Sequence, residues 1–150
     1  MITRTAKVCF ATVGWLENEV YPGIPELLDR LCQAGKTMMV ATSKPEVFAR
    51  KILDHFQLAA YFSFVGGATL DGVRSTKEEV INYVLKTNEV VSLSEVIMVG
   101  DRKFDILGAK HAGVSSVGCV YGYGSREELE TAGADYVVDS IGELQNLLLP

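Results

Sequence analysis

The sequence lacks an excess of positive charge and any hydrophobic run long enough to cross a bilayer. Its 14 Lys and Arg residues are outnumbered by 19 Asp and Glu residues, which gives a formal net charge of -5. A nucleic-acid partner is therefore not expected. Residues 1–20 also lack the continuous apolar core of a signal peptide. We expect a cytoplasmic protein without membrane contact.

Cysteine is scarce as well. The three cysteines, Cys9, Cys32 and Cys119, are odd in number and widely separated, and each has apolar neighbours. This pattern excludes a disulfide framework and the ligand spacing of a zinc site. It predicts three reduced thiols within the core.

What is present favours a single α/β domain. A chain of 150 residues with 48% hydrophobic content has room for one substantial core, so we expect one domain over residues 1–150. Short β-prone runs alternate with helical patterns, which predicts a mostly parallel sheet with helices on both faces. The predicted strands cover residues 7–13, 37–41, 61–65 (ended by Gly66 and Gly67), 96–99, 116–120 and 136–138.

The stretch from Val96 to Asp105 combines a buried strand with two carboxylates. Four apolar residues end at Gly100, and Asp101 and Asp105 follow, four residues apart. We predict Asp101 at the end of the strand and Asp105 in the first turn of the next helix, at the edge where open α/β sheets bind ligands. Two carboxylates at such a point suit Mg²⁺. The alternative is that Asp101 only caps a helix.

Two further groups lie at predicted strand ends or helix starts. Thr42 and Ser43 follow the second strand, and Lys77 opens a helix after a capping-box spacing. Hydroxyl groups, backbone amides at a helix start and a lysine together make a phosphate cradle. Each group also has a plain alternative, as a helix cap for Thr42 and Ser43 and as a solvated surface residue for Lys77.

The order of these groups resembles the phosphatases of the haloacid dehalogenase superfamily, which use a strand-end Asp, a Thr or Ser, a Lys and a Gly-Asp-x-x-x-Asp. The phosphoglycolate phosphatase-like branch is the most similar, through segments 19–23, 108–110, 121–125 and 132–135. The resemblance implies a three-layer Rossmann-like core and Mg²⁺-dependent phosphate monoester hydrolysis. It assigns catalysis to Thr42, Lys77 and Asp101, phosphate binding to Thr42, Ser43 and Lys77, and Mg²⁺ binding to Asp101 and Asp105.

The first motif of that family, Asp-x-Asp-Gly-Thr, does not occur. Residues 10–16 have its outline, with Ala11 and Val13 where the nucleophile and the acid/base belong. In a second alignment, residues 3–16 are the tail of the helical cap of this branch. Either way the nucleophile is absent. Residues 7–13 are nevertheless predicted as the central strand, because an empty slot would leave backbone groups unpaired at about 1–3 kcal/mol each.

These features predict a phosphatase-like domain for small phosphate monoesters that is weakly active or inactive. We expect weak Mg²⁺ binding and, because no cap-sized segment is present, no cap domain. One alternative is a non-catalytic domain that binds phosphate or a phosphorylated small molecule. Another is an interaction role for exposed Trp15, Tyr21 and Tyr123, for which core packing is the simpler explanation. The substrate, any residual activity and the oligomeric state stay open.

Overall fold

The computed structural model describes the backbone of residues 7–10 and all of residues 20–150. The strands are β1 (Lys7–Phe10), β2 (Thr37–Pro45), β3 (Phe64–Ala68), β4 (Val96–Gly100), β5 (Ser115–Cys119) and β6 (Tyr136–Val138). The helices are α1 (Ile24–Gln33), α2 (Glu46–His55), α3 (Lys77–Thr87), α4 (Lys103–Ala112), α5 (Arg126–Thr131) and α6 (Ile141–Leu148). Single 3₁₀ turns occur at Ala59–Tyr61 and Leu93–Glu95.

The six strands form one sheet in the order β3-β2-β1-β4-β5-β6, and every pairing is parallel. β1 lies in the centre, where both of its edges are hydrogen-bonded. Its last residue, Phe10, stands opposite Val40 of β2 and Val99 of β4. The strand predicted for residues 7–13 is thus present over Lys7–Phe10, while residues 11–13 lie outside the described residues.

Alternate side chains of the strands supply two separate core layers. On β2, Met38 and Val40 join the core beneath α1, α2 and α6, whereas Met39 and Ala41 join the core beneath α3 and α4. This period of two is what a strand buried on both faces requires. The predicted three-layer α/β fold with a parallel sheet is therefore confirmed.

The third strand was predicted wrongly in its bounds. It covers Phe64–Ala68 and runs through Gly66 and Gly67, which do not end it. A Cβ on Gly67 would lie 2.7 Å from Glu46 Cα, and one on Gly66 would lie 2.4 Å from Val84 Cγ2. The two glycines thus allow α2 and α3 to approach the strand closely, and they are needed for packing.

Helix α3 begins with the capping box that the sequence predicts, shifted by one residue. Thr76 is the N-cap of α3 and forms the complete capping box with Glu79, one residue later than the Ser75 and Glu78 spacing suggested. None of the helices that the structure describes is long and apolar enough to cross a membrane.

The cysteine prediction holds for one thiol and fails for another. Cys119 on β5 is buried, but Cys32 on α1 is exposed. Each residue turns about 100° around a helix, so Cys32 lies at the flank of the buried stripe that ends at Leu31. The side chain of Cys9 lies outside the described residues.

Alkylation should separate these two thiols. Burial, opposed by a hydrogen bond with Tyr121, raises the pKa of Cys119 to about 12, so almost no thiolate is present there at pH 8. We expect iodoacetamide at pH 8 to modify Cys32 within minutes and to leave Cys119 intact until the protein unfolds. Peptide mass mapping with and without urea measures this. Equal labelling of the two thiols in the folded protein would contradict the described burial.

Candidate functional site

The predicted site residues meet at the carboxyl edge of the central strands. Thr42 belongs to β2, Asp101 directly follows β4, Lys77 is the first residue of α3 and Asp105 lies in the first turn of α4. All four are buried, with exposed fractions of 3%, 2%, 8% and 1%. Buried charges are stable only when they are paired and hydrogen-bonded, so the contacts of each group define the site.

Lys77 is held by an ion pair and by the backbone. Its Nζ lies 3.0 Å from Asp105 Oδ1 and donates to the carbonyl oxygen of Ala41 at 3.2 Å. Gly108 of α4 makes room for the lysine stem, since a Cβ there would lie 2.8 Å from Lys77 Cγ. The ammonium is therefore fixed between β2 and α4 and does not reach into solvent.

Asp105 uses both carboxylate oxygens. Oδ1 contacts Lys77, and Oδ2 accepts hydrogen bonds from the backbone N–H groups of Asp101 and Arg102, each at 3.1 Å. A Cβ on Gly100 would lie 2.3 Å from Asp105 Cβ, so glycine is required where the strand passes this side chain. Asp105 thus closes the turn that carries Asp101.

Asp101 is held by the loop that follows β5. The N–H of Tyr123 donates to Asp101 Oδ2 at 2.8 Å, and the N–H of Gly124 donates to the Asp101 carbonyl oxygen at 2.8 Å. In the sequence, this Tyr-Gly-Tyr-Gly stretch at residues 121–124 marks the family resemblance and indicates no role in the site. Two glycines so close together were the signal of a close backbone approach.

Gly122 and Gly124 are the two positions where the loop approaches Asp101 closely. A Cβ on Gly122 would lie 2.3 Å from Asp101 Cβ, so we expect Gly122→Ala to lose about 1–3 kcal/mol of the free energy of unfolding through overpacking. Urea denaturation measures this loss. Gly142→Ala is the matched control, because its Cβ would meet nothing nearer than Ser140 Oγ at 3.7 Å. Equal stability of the two variants would show that the loop does not press on Asp101.

Glu128 of α5 also supports the turn that carries Asp101. Its Oε1 accepts from the N–H of Lys103 and from Nε of Arg102, both at 2.9 Å. Two hydrogen bonds lower the pKa of Glu128: the one from the Lys103 N–H has the larger effect, and the one from the Arg102 guanidinium has the smaller effect. The sequence places Glu128 at capping-box spacing from Ser125. Its N–H does bond to the Ser125 hydroxyl, but its carboxylate holds the site turn.

A cleft of about 190 Å³ opens above the Lys77–Asp105 pair. It is lined by Thr42, Ser43, Lys44, Lys77, Arg102, Phe104 and Asp105. The three predicted phosphate-binding residues therefore share one cleft: Thr42 and Lys77 are buried and Ser43 is exposed. Thr42 Oγ1 also accepts from the N–H of Lys44 at 3.1 Å. Arg102 and Phe104 were not predicted as cleft residues.

The described carboxylates would supply only part of the ligands of a metal ion. Asp101 and Asp105 are adjacent through their shared turn, but within residues 20–150 no group of three or more His, Cys, Asp or Glu side chains is placed to hold a metal. Ala11 and Val13, the predicted nucleophile positions, lie outside the described residues. The residues present fit Mg²⁺ as a partial set of oxygen ligands.

Two of the three aromatic residues predicted to be exposed are among the described residues, and one of these two is exposed. Tyr123 is 64% exposed. Tyr21 is half-buried and packs edge-on against Tyr121 with ring centroids 5.8 Å apart, so its predicted exposure is wrong. Trp15 lies outside the described residues.

Comparisons with known proteins agree on one family. Residues 11–119 match the model of the haloacid dehalogenase-like hydrolase family. A 5'-nucleotidase of Pseudomonas aeruginosa is 42% identical over 139 residues, which are 93% of this chain and 62% of that protein. A phosphoglycolate phosphatase of Vibrio parahaemolyticus is 38% identical over 135 residues, covering 90% of this chain and 59% of that protein.

The solved structures agree. A predicted phosphatase from Clostridium acetobutylicum has a TM-score of 0.85 and 46% sequence identity, with 87% of this chain and 60% of that one covered. The chain thus spans about 60% of the length of these relatives. Together with the matched residues and the buried Thr42, Lys77, Asp101 and Asp105, this assigns the family: the chain belongs to the haloacid dehalogenase-like hydrolases.

Proposed function

We propose that this domain binds the phosphoryl group of a small phosphate monoester in the cleft above the Lys77–Asp105 pair and hydrolyses it poorly or not at all. The observation that carries the proposal is the placement of Lys77. Its ammonium is buried, fixed by Asp105 and Ala41, and lines the same cleft as Thr42 and Ser43. A positioned cation beside two hydroxyl groups is suited to phosphoryl oxygens.

The charges of Lys77, Asp105 and Asp101 favour the binding of a cation at the site. Lys77 is paired with Asp105, and Asp101 adds a further negative charge beside this pair, so Lys77 alone does not offset the charge of a phosphate dianion. We propose that Asp101 and Asp105 hold Mg²⁺, which when bound neutralises phosphoryl oxygens. Because Asp105 already engages both oxygens, Asp101 is the better direct ligand. With so few carboxylates, Mg²⁺ binding should be weak.

The sequence supports poor turnover. Phosphatases of this family are expected to attack phosphorus with the first Asp of an Asp-x-Asp-Gly-Thr motif, and this chain has no such motif. The side chains of Ala11 and Val13 can neither attack phosphorus nor transfer a proton. Two relatives named for different substrates, a nucleotide and phosphoglycolate, share phosphate monoester chemistry. We therefore propose the phosphoryl group, and not one particular alcohol, as the common ligand.

Binding and turnover are tested together on the full chain. Phosphate binding is measured by calorimetry with and without Mg²⁺, and phosphate release is measured with p-nitrophenyl phosphate and phosphoglycolate. The matched control is the nearly isosteric Asp101→Asn variant. We expect saturable, Mg²⁺-dependent phosphate binding in the parent chain and turnover no greater than that of the control.

Other outcomes have clear meanings. Turnover in the parent chain that Asp101→Asn abolishes would show that another carboxylate serves as the nucleophile. Absence of phosphate binding at millimolar ligand, with or without Mg²⁺, would contradict the proposal. In that case a concentration-dependent dimer in sedimentation would favour the interaction role instead.

A further inference from the structure

We infer that Glu46, Arg50 and Arg74, here called the edge cluster, close the outer edge of β3 and so prevent the sheet from pairing with that of a second copy of the chain. β3 is the first strand in the sheet order, and no strand within residues 7–10 and 20–150 pairs with its outer edge. An uncovered strand edge is a template for pairing with another chain. The edge cluster does not line the cleft, so the inference is independent of the proposed function.

The register of β2 and β3 shows which backbone groups point outward. The carbonyl oxygen of Met38 on β2 accepts from the N–H of Ser63 at 2.8 Å, so it faces β3. Backbone groups of successive strand residues face opposite sides, so those of Val40 face β3 as well. Val40 stands opposite Val65, and in a parallel pair such a residue bonds to the neighbours of the residue opposite. The N–H and C=O groups of Val65, and of Gly67 two residues later, therefore point away from β2.

Both outward carbonyl oxygens accept hydrogen bonds from the edge cluster. Arg50 Nη2 donates to the Val65 oxygen at 3.1 Å. Arg74 Nε donates to the Gly67 oxygen at 2.7 Å. Glu46 connects the two arginines, since its Oε1 lies 3.1 Å from Arg50 Nη2 and its Oε2 lies 3.4 Å from Arg74 Nη2. Val65 and Gly67 are buried although they lie at the edge of the sheet, so the cluster covers the acceptors that an added strand would need.

Arg74 is held more firmly than Arg50. Its side chain is 19% exposed, against 51% for Arg50, and its Cζ lies 3.5 Å from the centroid of the Tyr83 ring. Thr69 closes the turn that carries Arg74, because its Oγ1 accepts from the Arg74 N–H at 2.9 Å and its own N–H donates to the Arg74 oxygen at 2.8 Å. The aromatic ring and the turn thus keep the guanidinium against the edge of the strand.

A second copy of the chain is the partner that this cluster excludes. Two identical edges can pair about a two-fold axis, with the same surface used on both copies. Antiparallel pairing of β3 with β3 would let the outward N–H groups of each copy donate to the outward carbonyl groups of the other. The edge cluster carries two positive charges and one negative charge. Two clusters brought together would therefore also repel each other.

The test is self-association of the full chain with and without the two arginines. Arg50→Met/Arg74→Met removes both donors and keeps long side chains. In sedimentation velocity we expect this variant to self-associate at least about tenfold more tightly than the parent chain. Hydrogen exchange of the peptide 62–70 should slow as the concentration of the variant rises, because pairing withdraws amides of β3 from solvent. Arg30→Met/Arg126→Met is the matched control, since it removes the same charge from α1 and α5.

A single variant keeps the test valid if the double variant does not fold. Arg50→Met removes a half-exposed side chain, so the fold should tolerate it, and it uncovers the Val65 oxygen alone. We expect self-association tighter than in the control, with slower exchange of the peptide 62–70. Self-association of a folded variant no tighter than that of the control would overturn the inference. So would association that leaves the exchange of this peptide unchanged, or a parent chain in which the same peptide becomes protected as concentration rises.

Discussion

Asp105→Ala is expected to lose roughly 3–5 kcal/mol of the free energy of unfolding, because it leaves the buried ammonium of Lys77 without its partner. The carboxylate is 1% exposed and lies 3.0 Å from Lys77 Nζ. The variant also removes the acceptor of the backbone N–H groups of Asp101 and Arg102. Such a loss is comparable with a total stability of about 5–15 kcal/mol. Urea denaturation followed by circular dichroism measures it.

A double variant tests whether the unpaired charge of Lys77 causes this loss of stability. Removing both charges in Lys77→Met/Asp105→Ala should recover part of the loss, since no unpaired ammonium remains buried. Asp54→Ala on the exposed side of α2 is the matched control and should change stability by less than about 0.5 kcal/mol. A loss in Asp105→Ala as small as that of the control would contradict the described ion pair. So would a double variant less stable than Asp105→Ala.

The fold could be predicted because its signals are local and repeated. Apolar runs of strand length alternate with helical spacings, and that alternation alone favours a parallel sheet covered on both faces. The place of β1 followed from the family resemblance, which implies a strand between β2 and β4, and from hydrogen-bond counting, since that gap could not be left unfilled. The end of β3 was misplaced because glycine, judged from its neighbours in the sequence alone, indicates the end of a strand. Gly66 and Gly67 are instead required because the strand lies in close contact with Val84 and Glu46.

The residues of the site could be predicted, but the hydrogen bonds and ion pairs between them could not. The four-residue spacing predicted that Asp101 and Asp105 share one turn, and the order of the family motifs added Thr42 and Lys77 to the predicted site. Which oxygen meets which donor depends on contacts between distant segments, such as Lys77 with Asp105 or Tyr123 with Asp101. For that reason Asp105 looked like an ordinary metal ligand, although its two oxygens hold Lys77 and the turn.

The same limit explains why the loop after β5 was missed as part of the site. Its contribution to Asp101 is made by the backbone N–H groups of Tyr123 and Gly124, which every residue except proline carries. Only the two glycines at 122 and 124 distinguish it in the sequence. Glu128 is a similar case, because its spacing from Ser125 indicates a cap while its carboxylate reaches Arg102 and Lys103.

Replacing Ala11 and Val13 together by aspartate is expected to create Mg²⁺-dependent phosphatase activity at least about 10²-fold above the parent chain. The physical reason lies in the central strand. Phe10 stands opposite Val40 and Val99, each two residues before Thr42 and Asp101, and Ala11 is the next residue along the chain. The family resemblance places the nucleophile at position 11 and the acid/base at position 13. Release of p-nitrophenol from its phosphate ester, with and without Mg²⁺, measures the gain.

The isosteric Ala11→Asn/Val13→Asn variant is the matched control, since amides neither attack phosphorus nor act as an acid and base at neutral pH. Adding Asp101→Asn to the aspartate pair should abolish the gain if the new carboxylates work with the site described above. A second readout is Mg²⁺ affinity, which should rise as anionic ligands are added. A folded aspartate variant with neither turnover nor tighter Mg²⁺ binding would contradict the alignment of residues 10–16 with the first motif. It would favour the alternative that residues 3–16 correspond to the tail of a cap, and the missing carboxylates would then have no counterpart at positions 11 and 13.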